Sequence, residues 1–355
     1  MLVRAIVRVA AVAAVLLAAC NGQKPAMRTP LVDSAPVSEG DTSGRLVREL
    51  ELEVLASYER QVLDHVAASA AVDPLVGLSG FGVGPGDLLR GATPAHDRWP
   101  VSEVDGQRVE IVSRRLELFL STDRTVGWSY DDISLRLPVC GRIASIPLRV
   151  AQVYVRDSER WTLVAEHVAY AQPMGRWLDG ARGPDGDKLS PQLENQPDSK
   201  QAQEALVQLL TGQGDRPAIW AEQASVLAVW PDPLHVLRGG AARTGPTLAR
   251  TLGDTGDVGV DLDGLRLALG PGRNVAIANA TILARVTRLR AGAEEPVDVR
   301  LRGTFVLERI GEDWKARFAM VSTPITTGAL VGRSLGTVAV LEPGGDVRTS
   351  CRVTR

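Results

Sequence analysis

The sequence predicts an α+β protein in which one plan, helices first and an antiparallel sheet after, is written twice. Three observations carry that expectation. The segment LRVAQVYVRDSERW at 148–161 returns as LRGTFVLERIGEDW at 301–314, an offset of 153 residues. Two earlier pairs keep the same order: LLRG ending at Gly91 with VLRG ending at Gly239, offset 148, and LFLSTDRTV ending at Val126 with LALGPGRNV ending at Val275, offset 149. An offset that grows in small steps is what loop insertions between equivalent strands produce. Between the copies lies DGARGPDGDKLSPQLENQPDSK, from Asp179 to Lys200, a polar run that reads as a linker.

Each element follows from its own pattern. The first copy opens with RLVRELELEVLASYERQVLDHVAASA, in which Leu50, Val54, Leu55 and Tyr58 recur at helical spacing and Val62 and Val66 extend the face. The second opens with KQAQEALVQLLTG, stopped by Gly212, followed by RPAIWAEQA, where Pro217 suits a helix start. Runs rich in Val, Leu and Ile come next. In the second copy these are GLRLALG, NVAIANATILARVTRL, VDVRLRGTFVLERI and DWKARFAMVST, parted by turn signals at GPG (270–272) and GED (311–313).

The N-terminus sets the compartment. Arg4 and Arg8 precede an apolar run from Val9 to Ala19, and a spanning helix needs roughly 20 such residues. The run therefore reads as the core of a signal peptide. It ends in LAAC, which resembles the lipobox of bacterial lipoproteins and implies cleavage before Cys20, acylation of its sulfur and attachment to a membrane. The expected organisation is signal peptide 1–19, flexible tether 20–44, first domain 45–175, linker 176–200, second domain 201–326 and C-terminal tail 327–355. The domains are expected outside the cytoplasm, in a bacterial cell envelope.

Removing residues 1–19 leaves 38 basic against 42 acidic side chains, a balance that recruits no nucleic acid. Beyond Cys20 only Cys140 and Cys351 remain, and they read equally well as a pair tying the tail to the first half or as two separate thiols.

The order of elements, closing on a strand that starts with Trp, resembles the SnoaL-like branch of the nuclear transport factor 2-like superfamily. That resemblance implies two cone-shaped domains, each with N-terminal helices on a strongly curved antiparallel sheet around an apolar pocket. It also implies an intramolecular pseudo-dimer, because single-domain relatives pair through the outer sheet face. In that family the last strand reads Trp-x-apolar-x-His-x-His-x-Ser. The first copy places Trp161, Leu163, Ala165, His167 and Ala169 at those positions, and the second Trp314, Ala316, Phe318, Met320 and Ser322. Period-2 alternation would set each series on one face, which the resemblance makes the pocket face. His167 is then a candidate general acid or base in the first domain; its plain reading is a hydrogen-bonded structural residue. Tyr58, Trp128, Tyr130, Trp161, Phe318 and Met320 are the candidate ligand-binding side chains, with core packing as the competing role of the tryptophans.

Other motifs carry less. GRSLG at 332–336 has the nucleophile-elbow spacing around Ser334, but TVAVL follows where a helix is needed. The histidines at 65, 96, 167 and 235 have no zinc-ligand spacing, and no cofactor is implied. Asp131 and Asp132 are adjacent on a strand, so they point to opposite faces. Arg149 with Arg302, and Arg156 with Arg309, recur in register and read as structural. The expected function is a lipid-anchored, non-catalytic binder of an apolar small molecule or a protein partner. An isomerase, cyclase or dehydratase using His167 in the first domain is the alternative.

Overall fold

In the computed structural model the described residues are 42–63, 79–83, 88–90, 103–104, 107–139, 142–157, 160–171, 192–193, 197–211, 219–223, 225–252, 259–290, 293–325, 339–341 and 347–349. The signal peptide, Cys20, most of the linker, Cys140, Cys351 and the GRSLG motif lie outside them. The segment expected to form a helix from Pro217 is described at 219–223, and there Trp220 instead makes an isolated parallel bridge to Ala316, with the Ala221 N–H donating to the Ala316 carbonyl at 3.0 Å. In chain order the elements are α1 (Thr42–Leu63), β1 (Ser79–Phe81), β2 (Leu88–Arg90), β3 (Glu103–Val104), β4 (Gln107–Arg108), β5 (Glu110–Leu120), β6 (Val126–Val139), β7 (Arg142–Asp157) and β8 (Arg160–Ala169). The second half supplies β9 (Gln192–Leu193), α2 (Pro197–Thr211), β10 (Leu227–Val229), β11 (Val236–Arg238), α3 (Gly240–Thr244), α4 (Leu248–Leu252), β12 (Gly259–Leu269), β13 (Val275–Arg290), β14 (Ala293–Ile310) and β15 (Asp313–Ser322). The chain closes with β16 (Ala339–Leu341) and β17 (Val347–Thr349).

The fold is α+β, with two large sheets and few helices. The first runs β2-β1-β8-β7-β6-β5 and the second β11-β10-β15-β14-β13-β12-β9. Both are mixed, where alternation had suggested purely antiparallel sheets. The short strand between helix and meander returns parallel to the last long strand, Phe81 beside His167 and Val229 beside Met320. A three-residue strand is too short to show a pairing direction in its sequence. Within the segment expected as tail, Ala339–Leu341 and Val347–Thr349 form β16 and β17, and β17 pairs with β3 in a third sheet.

Each helix covers one face of its sheet. Leu46, Leu50, Val54 and Tyr58 recur every four residues along α1 and are all buried. They join Leu116, Ile133, Val150 and Trp161 in one apolar core. Gly127 on β6 makes room for that contact, because a Cβ there would lie 2.7 Å from Leu50 Cδ2. On α2, Pro197 occupies the first helical position, where its missing N–H costs nothing, and Asp198 sits in the first turn. Arg156 reaches Glu49 of α1 at 3.6 Å and Arg309 reaches Asp198 of α2 at 3.2 Å, so this repeated arginine pair ties strand to helix in both halves.

The opposite faces of the two sheets meet. A third apolar core draws Trp128, Tyr130 and Val153 from the first sheet and Ile277, Phe318 and Met320 from the second. Polar bonds cross this seam. Arg149 donates to the carbonyls of Trp230 (2.9 Å) and Pro233 (2.8 Å), while Arg302 donates to that of Gly82 (3.3 Å). Trp230 follows Gly82 by 148 residues, so the two arginines make reciprocal contacts. Arg238 clasps Glu117, its Nε lying 2.9 Å from both carboxylate oxygens and its Nη2 donating to Oε1 as well. Glu308 accepts from the Thr122 N–H at 2.6 Å and pairs with buried Arg317, whose guanidinium lies 5.5 Å over the Trp128 ring.

Because Glu308 and Arg317 are both almost fully buried, removing one charge strands the other. Glu308→Gln is expected to lower stability by about 3–5 kcal/mol in urea unfolding; a loss under about 1 kcal/mol, the size of a surface pair, would show that the pair is solvated.

Candidate functional site

Two places emerge where one was expected, and a β-bulge separates them. On β8 the pairing with β7 slips between Val153 and Tyr154, so that Leu163 opposes Tyr154, Ala165 opposes Val153, and Val164 is the extra residue. The alternation that placed Trp161 and His167 on one face therefore reverses. Trp161 and Leu163 join the α1 core, whereas Ala165 and Ala169 face the seam. The second sheet does the same at Arg317: Trp314 and Ala316 face the α2 side and Phe318 and Met320 the seam. Of the side chains singled out from sequence, Trp128, Tyr130, Phe318 and Met320 thus meet in the seam, with His167 beside them, and Tyr58 and Trp161 lie on the α1 side.

His167 is fully buried in the seam. Its Nε2 sits 2.7 Å from Ser322 Oγ, and its ring meets Phe81 edge-on at 5.2 Å. Burial, reinforced by the Arg302 charge, pulls its pKa down to about 3, so it is a neutral imidazole at working pH. Its Nδ1 has no hydrogen-bond partner among the described residues. Tyr130 donates to Asp132 Oδ1 at 2.7 Å on the same face, and burial pushes its phenol well above the usual range.

A second set of buried polar groups lies on the α1 side, and of these only Tyr58 was among the candidate site residues read from the sequence. Strand pairing sets Ser129 on β6 opposite Gln152 on β7, and Gln152 opposite Glu166 on β8. These three form a polar row across the sheet. Asp131 is the next inward position on β6, two residues from Ser129. Ser129, Asp131, Gln152 and Glu166 are all fully buried, and Ser57 and Tyr58 come down from α1. The Gln152 amide is locked: Tyr154 donates to its Oε1 at 2.8 Å, its Nε2 donates to Ser57 Oγ at 3.0 Å, and Ser57 donates to the Val54 carbonyl at 2.7 Å. Asp131 Oδ1 accepts from the Arg115 N–H at 3.1 Å, and the Ser113 and Tyr58 hydroxyls also bond its carboxylate, while Ser129 Oγ has no hydrogen-bond partner among the described residues.

Burial dominates the electrostatics here. It raises Asp131 to about 7 against the lowering effect of the Ser113 hydroxyl and the Arg115 N–H, with Asp132 adding to the rise. Tyr58 lies well above its ordinary value, first from burial and then from the Asp131 charge, with smaller effects of Tyr154 and Glu166. The site thus holds a carboxyl that changes protonation near neutrality beside a phenol that stays protonated, the equipment for gripping a polar group or moving a proton.

The second sheet has nothing comparable. At the positions matched by pairing, Ala278, Ala280, Phe305 and Ala319 replace Ser129, Asp131, Gln152 and Glu166. The Phe305 ring lies against Gly303, where a Cβ would collide with it. On that side the four positions join an apolar core, with Ser199 of α2 and Thr251 of α4 among the buried polar residues nearby in the chain. Neighbouring Asp131 and Asp132 do point to opposite faces, as alternation required; the inward role of Asp131 had no signal beyond that. Glu166 was hidden by the bulge.

No protein-family model matches the chain, and no curated protein matches it. Solved structures similar to it include proteins described as NTF2-like. A candidate dehydratase of the NTF2-like family from Streptomyces avermitilis aligns at 13% identity over 37% of this chain and 99% of its own, with a TM-score of 0.30. An NTF2-like superfamily protein from Salmonella enterica serovar Typhimurium aligns at 16% identity over 37% and 95%, TM-score 0.30. A candidate ketosteroid isomerase from Shewanella frigidimarina gives 16% identity, 36% and 96%, and a TM-score of 0.28.

The two buried groups impose opposite pH dependences. Asp131 is raised from 3.8 to about 7, so the folded state holds a proton that the unfolded state releases, and this contribution to stability fades as pH rises from about 4 to 7. His167 is lowered from 6.5 to about 3, so its contribution is lost as pH falls through that window. Chemical denaturation between pH 4.5 and 7.5 should show Asp131→Asn gaining stability relative to the native chain as pH rises, and His167→Gln gaining as pH falls. Parallel curves would contradict both placements.

Proposed function

We propose that this chain is a lipid-anchored protein of a bacterial envelope, built of two SnoaL-like domains that pack as an intramolecular pseudo-dimer. The first cone binds an apolar small molecule bearing a polar group, and the second is its structural companion. The observation that carries this reading is the contrast between the halves. Each buried polar side chain must be given bonding partners, and the α1 side of the first sheet holds Ser129, Asp131, Gln152 and Glu166 where the second holds three alanines and a phenylalanine. A core needed only for stability has no use for that row. The anchor rests on the LAAC sequence ending at Cys20.

A second reading, an isomerase, cyclase or dehydratase confined to the first cone, is favoured by one feature: Asp131 near neutrality beside Tyr58. The acid or base is then Asp131 and not His167, which the seam encloses on the other face of the sheet.

Native mass spectrometry of the chain extracted from a bacterial envelope tests binding. The reading predicts a reproducible extra mass, lost when Asp131→Ala, Gln152→Phe and Glu166→Ala give the first half the lining of the second; a bare protein mass throughout contradicts it. Cys20→Ser should shift the protein from the membrane to the soluble fraction, whereas retention on the membrane would remove the lipid anchor from the account. If the bound compound turns over, Asp131→Asn should abolish turnover and His167→Gln should spare it.

A further inference from the structure

We propose that residues 322–325 form a strap, carried by the second half and latched onto the first, which acid releases through His167. The inference rests on the seam alone and is independent of the binding reading above. β15 ends at Ser322, yet the chain stays buried through Thr323, Pro324 and Ile325. Those residues cross to the other half. The Ile325 N–H donates to the Val83 carbonyl at 2.9 Å, and among the described residues Ile325 is the one buried member of the α1 core that comes from beyond β8. Two further contacts hold the same corner. Ser322 Oγ lies 2.7 Å from His167 Nε2, and Arg302, paired with Ser322 across β14 and β15, donates to the Gly82 carbonyl at 3.3 Å.

Charge placement makes this latch sensitive to acid. The Arg302 guanidinium lies 5.6 Å over the Phe81 ring, and the fully buried His167 imidazole meets that same ring edge-on at 5.2 Å. A proton on His167 therefore sets a second cation beside the first in an enclosed place, where like charges repel most strongly. Among the described residues the surrounding strands bring no free anion to answer it. β1 contributes Phe81, and β7 contributes Ala151 opposite His167 and then Arg149, which is bonded to the carbonyls of Trp230 and Pro233. On β6, Tyr130 is bonded to Asp132, which also lies 3.9 Å from Arg149. Glu308 of β14 is paired with Arg317 of β15, and Glu166 of β8 lies on the α1 side. The reciprocal corner lacks the switch: Arg149 holds Trp230 as Arg302 holds Gly82, but Met320 stands beside Val229 where His167 stands beside Phe81.

The direction follows from linkage. The imidazole is neutral while latched and regains its ordinary value of 6.5 once the strap lifts. Latching is thus strongest above that pH, and the open fraction should rise about tenfold between pH 7.5 and 5.5 and about a hundredfold by pH 4.5. Asp131, raised by burial on the other face, favours the folded state as pH falls and so cannot produce the same trend.

Native-state hydrogen exchange of the full chain, expressed as protection so that the intrinsic rate at each pH cancels, tests the strap. The Ile325 N–H should lose protection by those factors between pH 7.5 and 4.5. The Ser121 N–H, bonded to Val126 within the first half, and the Ala221 N–H, bonded to Ala316 within the second, should keep theirs. His167→Met, which copies the second half, should make Ile325 protection independent of pH. Loss at all three amides together would mean that acid unfolds the whole chain and would overturn the strap. Unchanged protection at Ile325 in the native chain, or a pH-dependent loss that persists in His167→Met, overturns it as well. If His167→Met does not fold, His167→Gln, neutral at every pH, takes its place in the comparison.

Discussion

The extra residue in the last long strand of each sheet governs where every later side chain points. Val164 in the first sheet and Arg317 in the second interrupt the ladder once, and the inward series becomes the outward series from there on. Before the bulge, Trp161 and Trp314 plug the helix-covered cores. After it, Ala165, His167 and Ala169 in one sheet and Phe318, Met320 and Ser322 in the other line the seam. Without the slip, His167 would enter the α1 core and Glu166 would be forced against the second sheet.

Burying both faces of both sheets follows from that arrangement. The strands read as almost continuous apolar runs because one face meets a helix and the other meets the partner sheet. Such a seam needs polar closure at its rim, which the reciprocal arginines, the Arg238–Glu117 clasp and the Glu308–Arg317 pair provide. With the seam closed in this way, the two halves are free to differ inside. The second has filled its interior with Phe305 and small residues, and the first has kept a row of polar groups that packing alone does not require.

Much of the architecture was legible in the sequence, and the reasons are local. The four-residue period of Leu50, Val54 and Tyr58 marks α1, and the repeated LFLSTDRTV and LALGPGRNV mark two hairpins. Both of those hairpins turn on an arginine in left-handed conformation, Arg124 at φ 61° and Arg273 at φ 56°. What escaped depends on pairing that distant residues decide. Three-residue β1 and β10 carry too little pattern to reveal parallel pairing, and the strands near the C-terminus become strands only by meeting β3. A bulge leaves no period of its own, which is why alternation set His167 on the Trp161 face, whereas pairing turns Glu166 to that side and His167 to the seam. The role of Arg149 and Arg302 as structural residues was readable from their repetition, but their partners, backbone carbonyls of the opposite half, were not.

The account stands on a water-excluded carboxyl on one face of the first sheet and a neutral imidazole on the other. Carbon-13 and nitrogen-15 NMR of the full chain, following the Asp131 carboxyl and the His167 ring through one pH titration, tests both at once. The account predicts a midpoint near 7 for Asp131 and an imidazole that stays neutral from pH 8 down to pH 5, in keeping with a value of about 3. An Asp131 midpoint near its ordinary value of 3.8, together with a His167 midpoint near 6.5, would place both groups in water and contradict it.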